Sequence, residues 1–278
     1  MNKLSRFVSR TVFFYAPLII LMLFVLLPFL WALSTSLKPQ VDIITSTIKY
    51  IPNPITFQNY IRVWTRNNFS LFFYNSLFLS VVSTVFILLF SVFNGYALDR
   101  FKFKGSKVFT FTLIATQLLP MIILLVPLFL IFKTVGLINN RMSLILLYSV
   151  THIPFNTLLM KAFISKIPVE MDEAAMVDGA TRMKVIFSII FPVALPGIVA
   201  TAAFAFIGCW NEFLAAFSFM TSMDKFTVPV GLKFLIGEYS VDYGALAAGS
   251  IIALIPPIVL FAYIQKYLVE GLGGSVKG

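Results

Sequence analysis

Cysteine and histidine are nearly missing from this 278-residue chain, which has one of each, Cys209 and His152. A single cysteine excludes an internal disulfide, and Cys209 lies in an apolar run, where it suits the role of a small hydrophobe. One histidine and one thiol leave no metal-ligand cluster and no nucleophile–base set, so nothing here supports a metal site, catalytic residues or a membrane enzyme. The phosphate-binding pattern G-x-x-x-x-G-K-[ST] is also absent, and Gly105-Ser106-Lys107 does not supply it, so no ATP site is expected on this chain. Charge is scarce as well. Charged residues make up 12 % of the chain, against roughly a quarter in an average globular domain.

Apolar sequence fills the space. Hydrophobic residues reach 59 %, in recurring runs of about 20, the length a helix needs to cross about 30 Å of hydrocarbon. The ten-residue alternating segments of a membrane barrel do not occur. The expected class is an all-α, polytopic membrane protein with six transmembrane helices. Their spans are about 11–33, 71–98, 108–132, 142–163, 195–219 and 245–267, all within one domain over 1–278.

The first span follows a basic segment with Lys3, Arg6 and Arg10. It is longer than the apolar region of a signal peptide, about 7–15 residues, so it reads as an uncleaved helix. Its Pro17 and Pro28 are tolerable where neighbouring helices satisfy the freed carbonyls. Between the first two spans, Pro52-Asn53-Pro54 reads as an extended turn, and Thr56 as the cap of a short helix through Trp64. The net charge of +10 fits loops facing anionic lipid rather than nucleic acid. Six spans put both termini on one side. That side carries 13 Lys and Arg and the other carries 8, so the termini are expected in the cytoplasm.

The stretch that stands out is Ile167–Arg182, a charged island between apolar regions. Four of the eleven acidic residues, Glu170, Asp172, Glu173 and Asp178, fall within it. Pro168 suits a helix start, and the acids that follow suit the positive end of the helix dipole. Gly179 fits a left-handed helix stop, and Thr181 a cap for a second helix. Met183, Ile186, Phe187 and Ile190 then recur with helical spacing. Two short helices joined at a glycine corner are expected. An ordinary capped loop would read the same way, but Val169, Met171, Met176, Val177 and the smooth Ala174-Ala175 pair offer a docking face.

Glu173-Ala174-Ala175, then Gly179, Ile189, Phe191 and Pro192, resemble the EAA signature of membrane subunits of bacterial ATP-binding-cassette (ABC) importers. Phe191 stands where the pattern usually has Leu, an apolar exchange. Asp178-Gly179-Ala180-Thr181, Ala194-Leu195-Pro196-Gly197 and Trp210-Asn211-Glu212-Phe213 resemble the carbohydrate branch, and the whole chain is similar to the smaller permease subunit of maltose-type transporters. The resemblance implies the type I importer permease fold, with region 166–192 as a cytoplasmic coupling element. It implies that Glu173, Ala174, Ala175, Met176, Asp178, Gly179 and Pro192 serve ATPase coupling, with Glu173 paired to an ATPase arginine. The implied partners are a homologous second permease subunit, two cytoplasmic ATPase subunits binding ATP and Mg, an extracytoplasmic sugar-binding protein, and a sugar or oligosaccharide. A self-contained secondary transporter or channel is the competing reading. It would normally show intramembrane acids along several spans, and only Glu212 approaches that.

Other polar residues stay open. Asn211 and Glu212 either face a substrate path, lie hydrated near the outer interface or pair to another helix, and Gln117 and Asn156 either line the path or pair between helices. His152 reads as a helix-packing hydrogen bond, since no acid lies near it in sequence. The loop 220–244 is long for a connection. In relatives the corresponding loop enters the binding protein, which implies that role for Lys233, Phe234, Leu235, Ile236 and Gly237; a surface-lying segment is the alternative. The Gly-rich tail from Glu270 is expected to be flexible, and the similar tail of relatives implies an ATPase contact.

Overall fold

The computed structural model describes residues 11–237 and 240–273, and its architecture is all-α. Among the described residues the one β-bridge pairs Ile236 with Val241. Four helices are long and apolar enough to cross a membrane: α1 (Thr11–Ser36), α3 (Phe69–Arg100), α6 (Arg141–Ile164) and the Tyr243–Tyr267 stretch of the last helix, α12 (Tyr243–Gly273). Two bent pairs bring the number to six if each is one span: α4 (Ser106–Gln117) with α5 (Met121–Thr134), and α8 (Arg182–Val193) with α9 (Leu195–Trp210). The remaining helices are α2 (Gln58–Arg66), α7 (Val169–Val177), α10 (Leu214–Phe219) and α11 (Val228–Phe234). Large apolar side chains cover the outside; Phe13 and Phe24 on α1 are 82 % and 77 % exposed. Hydrocarbon, not water, is the solvent such a surface fits.

The structure departs from the expected spans in four places. The helix expected over 108–132 breaks between Gln117 and Met121 with a 98° bend, because Pro120 cannot continue the hydrogen-bond ladder and disfavours helical backbone before it. The span expected over 195–219 stops at Trp210 and resumes as α10, and its start is bent 81° from α8 at Ala194. The loop expected over 220–244 contains α11 and a 3₁₀ turn, Met223–Lys225. The last helix continues to Gly273, beyond the start of the expected flexible tail. The basic segment 1–10, Glu238-Tyr239 and the tail from Gly274 lie outside the described residues.

Where one domain is expected, the chain divides into two compact units: the chain up to Ser70 with Leu232–Leu254, and Leu71–Gly231 with the chain from Ile255 on. In the first, buried Asn59 closes the end of α1 by donating to the carbonyls of Ser36 and Lys38 at 2.9 and 2.8 Å. These are carbonyls that a helix end leaves without partners. The Thr56 hydroxyl accepts from the Gln58 N–H at 3.2 Å, but the cap position of α2 falls on Phe57, one residue later than expected. Asp242 accepts from the Ala245 N–H at 3.0 Å, capping α12, and pairs with Arg62 at 2.7 Å.

In the second unit α3 is the central rod. Gly95 lets it approach α6 closely, since a Cβ there would lie 2.9 Å from the Met160 Cβ and from the Lys161 backbone nitrogen. Near its start, fully buried Asn75 donates to the carbonyls of Asp224 and Phe226 at 2.8 and 2.9 Å and accepts from Arg141 at 2.7 Å. Asn75 is therefore interhelical glue. Asn139, left-handed at φ 56°, accepts from the N–H groups of Thr221 and Ser222 and from the Ser222 hydroxyl.

Candidate functional site

The charged island folds into the two helices its pattern predicts. Pro168 is the residue before α7, with extended backbone, and Glu170 and Asp172 lie in the first turn, where the dipole favours them. The helix ends in a Schellman motif: Ala180 N–H donates to Ala175 O at 2.9 Å and Gly179 N–H to Met176 O at 3.1 Å. Gly179 holds φ +84°, and nothing lies within 4 Å of where a Cβ would sit, so backbone conformation alone requires glycine. Thr181 then caps α8 by accepting from the Lys184 N–H at 3.4 Å.

One face of this corner is built into the protein. Ala175, Met176, Ala180 and Phe191 pack on a core of Val92, Tyr96, Met160, Ile164, Ile167, Val185, Ile186, Ile190 and Ala194. The opposite face is open: Glu173, Ala174, Val177 and Asp178 are exposed. Pro192 is also exposed and follows a π-helical turn, Ile186–Ile190. Six of the seven expected coupling residues thus lie on α7 and its glycine stop, with Ala175 and Met176 facing in and the others out, while Pro192 lies apart, beside an apolar cleft lined by Val85, Leu89 and Val92 of α3.

Sequence reading missed what holds the corner to α3. Asp172, next to exposed Glu173, is only 2 % exposed. Its Oδ2 accepts from Tyr96 Oη and from Arg100 Nε, each at 3.0 Å. Arg100, whose side chain is 4 % exposed, also donates through Nη2 to Ile167 O at 2.8 Å and through Nη1 to Asp99 at 2.6 Å. The Arg182 guanidinium lies 4.9 Å from the centre of the Phe101 ring, which meets Tyr96 edge-on at 6.0 Å. Tyr96 and Arg100 are one helical turn apart, so a shared face was legible; their partner 72 residues later was not.

The expected pathway residues separate. Gln117 and Asn156 line one cleft of about 620 Å³ with Thr116, His152, Phe155 and Phe204. Asn156 is buried and donates to the His152 carbonyl at 2.8 Å, while Gln117 donates to Leu113 O at 3.3 Å. Gly208 faces His152 so closely that a Cβ there would collide with Nε2. Glu212 is elsewhere, in the break between α9 and α10, with exposed Asn211 beside it. Its Oε1 accepts from Ala215 N–H at 2.7 Å, and its Oε2 from Ala216 N–H at 3.1 Å and Tyr148 Oη at 2.9 Å. That is the interhelical pairing which the sequence held open, combined with a helix cap.

The 233–237 segment ends α11 and enters a tight turn. Gly237 N–H donates to Ser240 O at 3.0 Å and Asp242 N–H to Leu235 O at 3.2 Å. Lys233, Phe234, Ile236 and Gly237 are exposed, and Leu235 is buried.

Residues 91–273 match a family described as binding-protein-dependent transport system inner membrane components. The chain is 33 % identical to a sulfoquinovosyl glycerol transport system permease of Agrobacterium fabrum, over 99 % of this chain and 97 % of that one. It is 34 % identical to a trehalose transport system permease of Mycobacterium tuberculosis, over 92 % and 93 %. Its structure is similar to that of a bacterial ABC transporter involved in importing the acidic polysaccharide alginate, with a TM-score of 0.83, 25 % identity, and coverage of 96 % of this chain and 98 % of that one.

Proposed function

The chain belongs to the binding-protein-dependent transport system inner membrane components, the permease subunits of ABC importers, and we propose that it forms half of a sugar or oligosaccharide pathway driven through the 166–192 corner. The named cargoes of its relatives, sulfoquinovosyl glycerol, trehalose and alginate, support a carbohydrate. The other half of the path comes from a homologous permease subunit, and cargo arrives from an extracytoplasmic binding protein. The 233–237 turn, with its exposed Lys233 and Phe234, is the proposed contact with that protein.

The observation that carries the coupling role is the division of the corner into two faces. Glu173 and Ala174 lie in the open beside buried Asp172. An exposed carboxylate on a rigid, small-residue surface suits a cleft in another protein that offers an arginine. The proposed occupant is a cytoplasmic ATPase subunit, which binds ATP and Mg. Two such subunits closing on nucleotide move the corner and, through it, the spans. Both termini then lie in the cytoplasm, as the excess of Lys and Arg on that side supports. Asn211, Glu212, Gln117 and Asn156 border the proposed path, the Glu212 carboxylate serving chiefly to hold the α9–α10 break.

The test is co-purification of the ATPase with the tagged chain, followed by uptake measurements with a panel of saccharides in proteoliposomes. Glu173→Ala is expected to insert normally but to lose the ATPase or to hydrolyse ATP without transport. Absence of an ATPase from the wild-type preparation, or full transport in Glu173→Ala, would sink the coupling role. Import of amino acids but no saccharide would sink the cargo class.

A further inference from the structure

We propose that Arg100 and Tyr96 are positioning residues for coupling: with Asp172 they form the buried link through which displacement of α7 reaches α3. The inference rests on α7 as the ATPase dock and concerns what happens behind that dock. Neighbouring residues of α7 divide the work. Glu173 faces out, and Asp172 faces in, where it meets both a tyrosine hydroxyl and a guanidinium at 3.0 Å. The planar guanidinium holds three points at once: Asp172 on α7, the Ile167 carbonyl in the turn entering α7, and Asp99 on its own helix. The start of α7 is therefore fixed to the end of α3 at two separate places. Arg182 over Phe101 adds a contact from the second helix of the corner to the residue after Arg100.

The rod beyond the link is continuous. Helix α3 runs 32 residues without a proline, about 48 Å at 1.5 Å per residue. At its other end Asn75 holds the Asp224 and Phe226 carbonyls and the Arg141 guanidinium, and the Ser76 hydroxyl accepts from the Val228 N–H at 2.8 Å. The alternative exit from the corner, through α8 and α9, passes a π-helical turn and an 81° bend at Ala194. A bend absorbs displacement; a rod clamped at both ends delivers it. The buried ion pair thus ties the docking corner to the 224–228 segment on the far side of the unit.

The decisive variant removes the charges together. Arg100→Met with Asp172→Leu removes both charges of the most buried pair and leaves only the more exposed Asp99 without its cation, so a purely stabilising role would be largely recovered in it. In the reconstituted complex this double variant is expected to keep the ATPase bound and hydrolysing, with transport per ATP reduced about tenfold. A wild-type ratio of transport to hydrolysis would overturn the link while leaving the dock intact. Failure of wild-type protein to bind an ATPase would instead remove the dock on which the link rests. If the double variant does not assemble, Tyr96→Phe carries the test, since it deletes one hydroxyl and keeps the ion pair. A ratio lowered about twofold is then expected, and an unchanged ratio overturns the proposal.

Discussion

Two acidic residues in this protein each meet a tyrosine hydroxyl, and the comparison between them separates a local brace from a long-range link. Asp172 and Glu212 both lie between apolar stretches and both accept from a tyrosine, Tyr96 at 3.0 Å and Tyr148 at 2.9 Å. Their remaining partners differ in kind. Glu212 takes two backbone N–H groups of the helix that starts two residues later. It stabilises a break locally, with dipoles and no counter-charge. Asp172 takes a guanidinium from a helix 72 positions earlier, so its charge is balanced only while two remote segments stay together. A local cap secures the bend of one segment. A long-range ion pair ties two segments together.

The largest effect that would test this contrast is Arg100→Ala. It leaves the Asp172 carboxylate buried without its cation, a loss of about 3–5 kcal/mol. Thermal unfolding in detergent, followed by size-exclusion fluorescence, should show a clearly lowered midpoint, and an unchanged one would mean that Asp172 is hydrated or protonated. Glu212→Ala should cost about 2 kcal/mol, the worth of hydrogen bonds to a charged acceptor, and Glu212→Gln less. If Glu212→Gln abolishes transport at wild-type thermal stability, Glu212 belongs to the path more than to the break. Gly179→Ala should cost about 1 kcal/mol, because alanine resists φ +84° although the site is open. A stability as high as that of wild type would mean that the corner relaxes. Glu173→Ala is the smallest in stability, within about 0.5 kcal/mol of wild type. Yet if its carboxylate is desolvated by the ATPase, docking should weaken by about 2–5 kcal/mol, measurable as a shifted ATPase-binding titration. Equal loss of stability in Glu173→Ala and Arg100→Ala would erase the distinction between the two faces.

The corner itself was legible because its signals are local. Pro168, the first-turn acids, Gly179 and Thr181 each act within about one turn of their own position, so spacing alone gave two helices and a glycine joint. Helix α3 was legible for a similar reason: its run of apolar residues has no breaker. The bends were less so. Pro120 lies inside an apolar run, and whether neighbours absorb a proline or the chain turns there depends on what surrounds it. Glu212 carries weaker notice still, because glutamate one position ahead of a helix cap is not a standard capping signal. The pairs Asn75 with Asp224 and Asp172 with Arg100 gave no sign, since nothing in one segment specifies the register of the other.

Sequence by itself determined that this protein lives in hydrocarbon, and that two short helices meet at a glycine joint at Gly179. The reason is that chain length per turn, backbone dihedrals and side-chain transfer energies act residue by residue. Tertiary structure alone decided which acid of the corner faces out and which faces in. That choice depends on a guanidinium and a tyrosine brought from a distant helix, and only packing brings them there. Two neighbouring carboxylates, alike in composition and one residue apart, are thereby given opposite tasks.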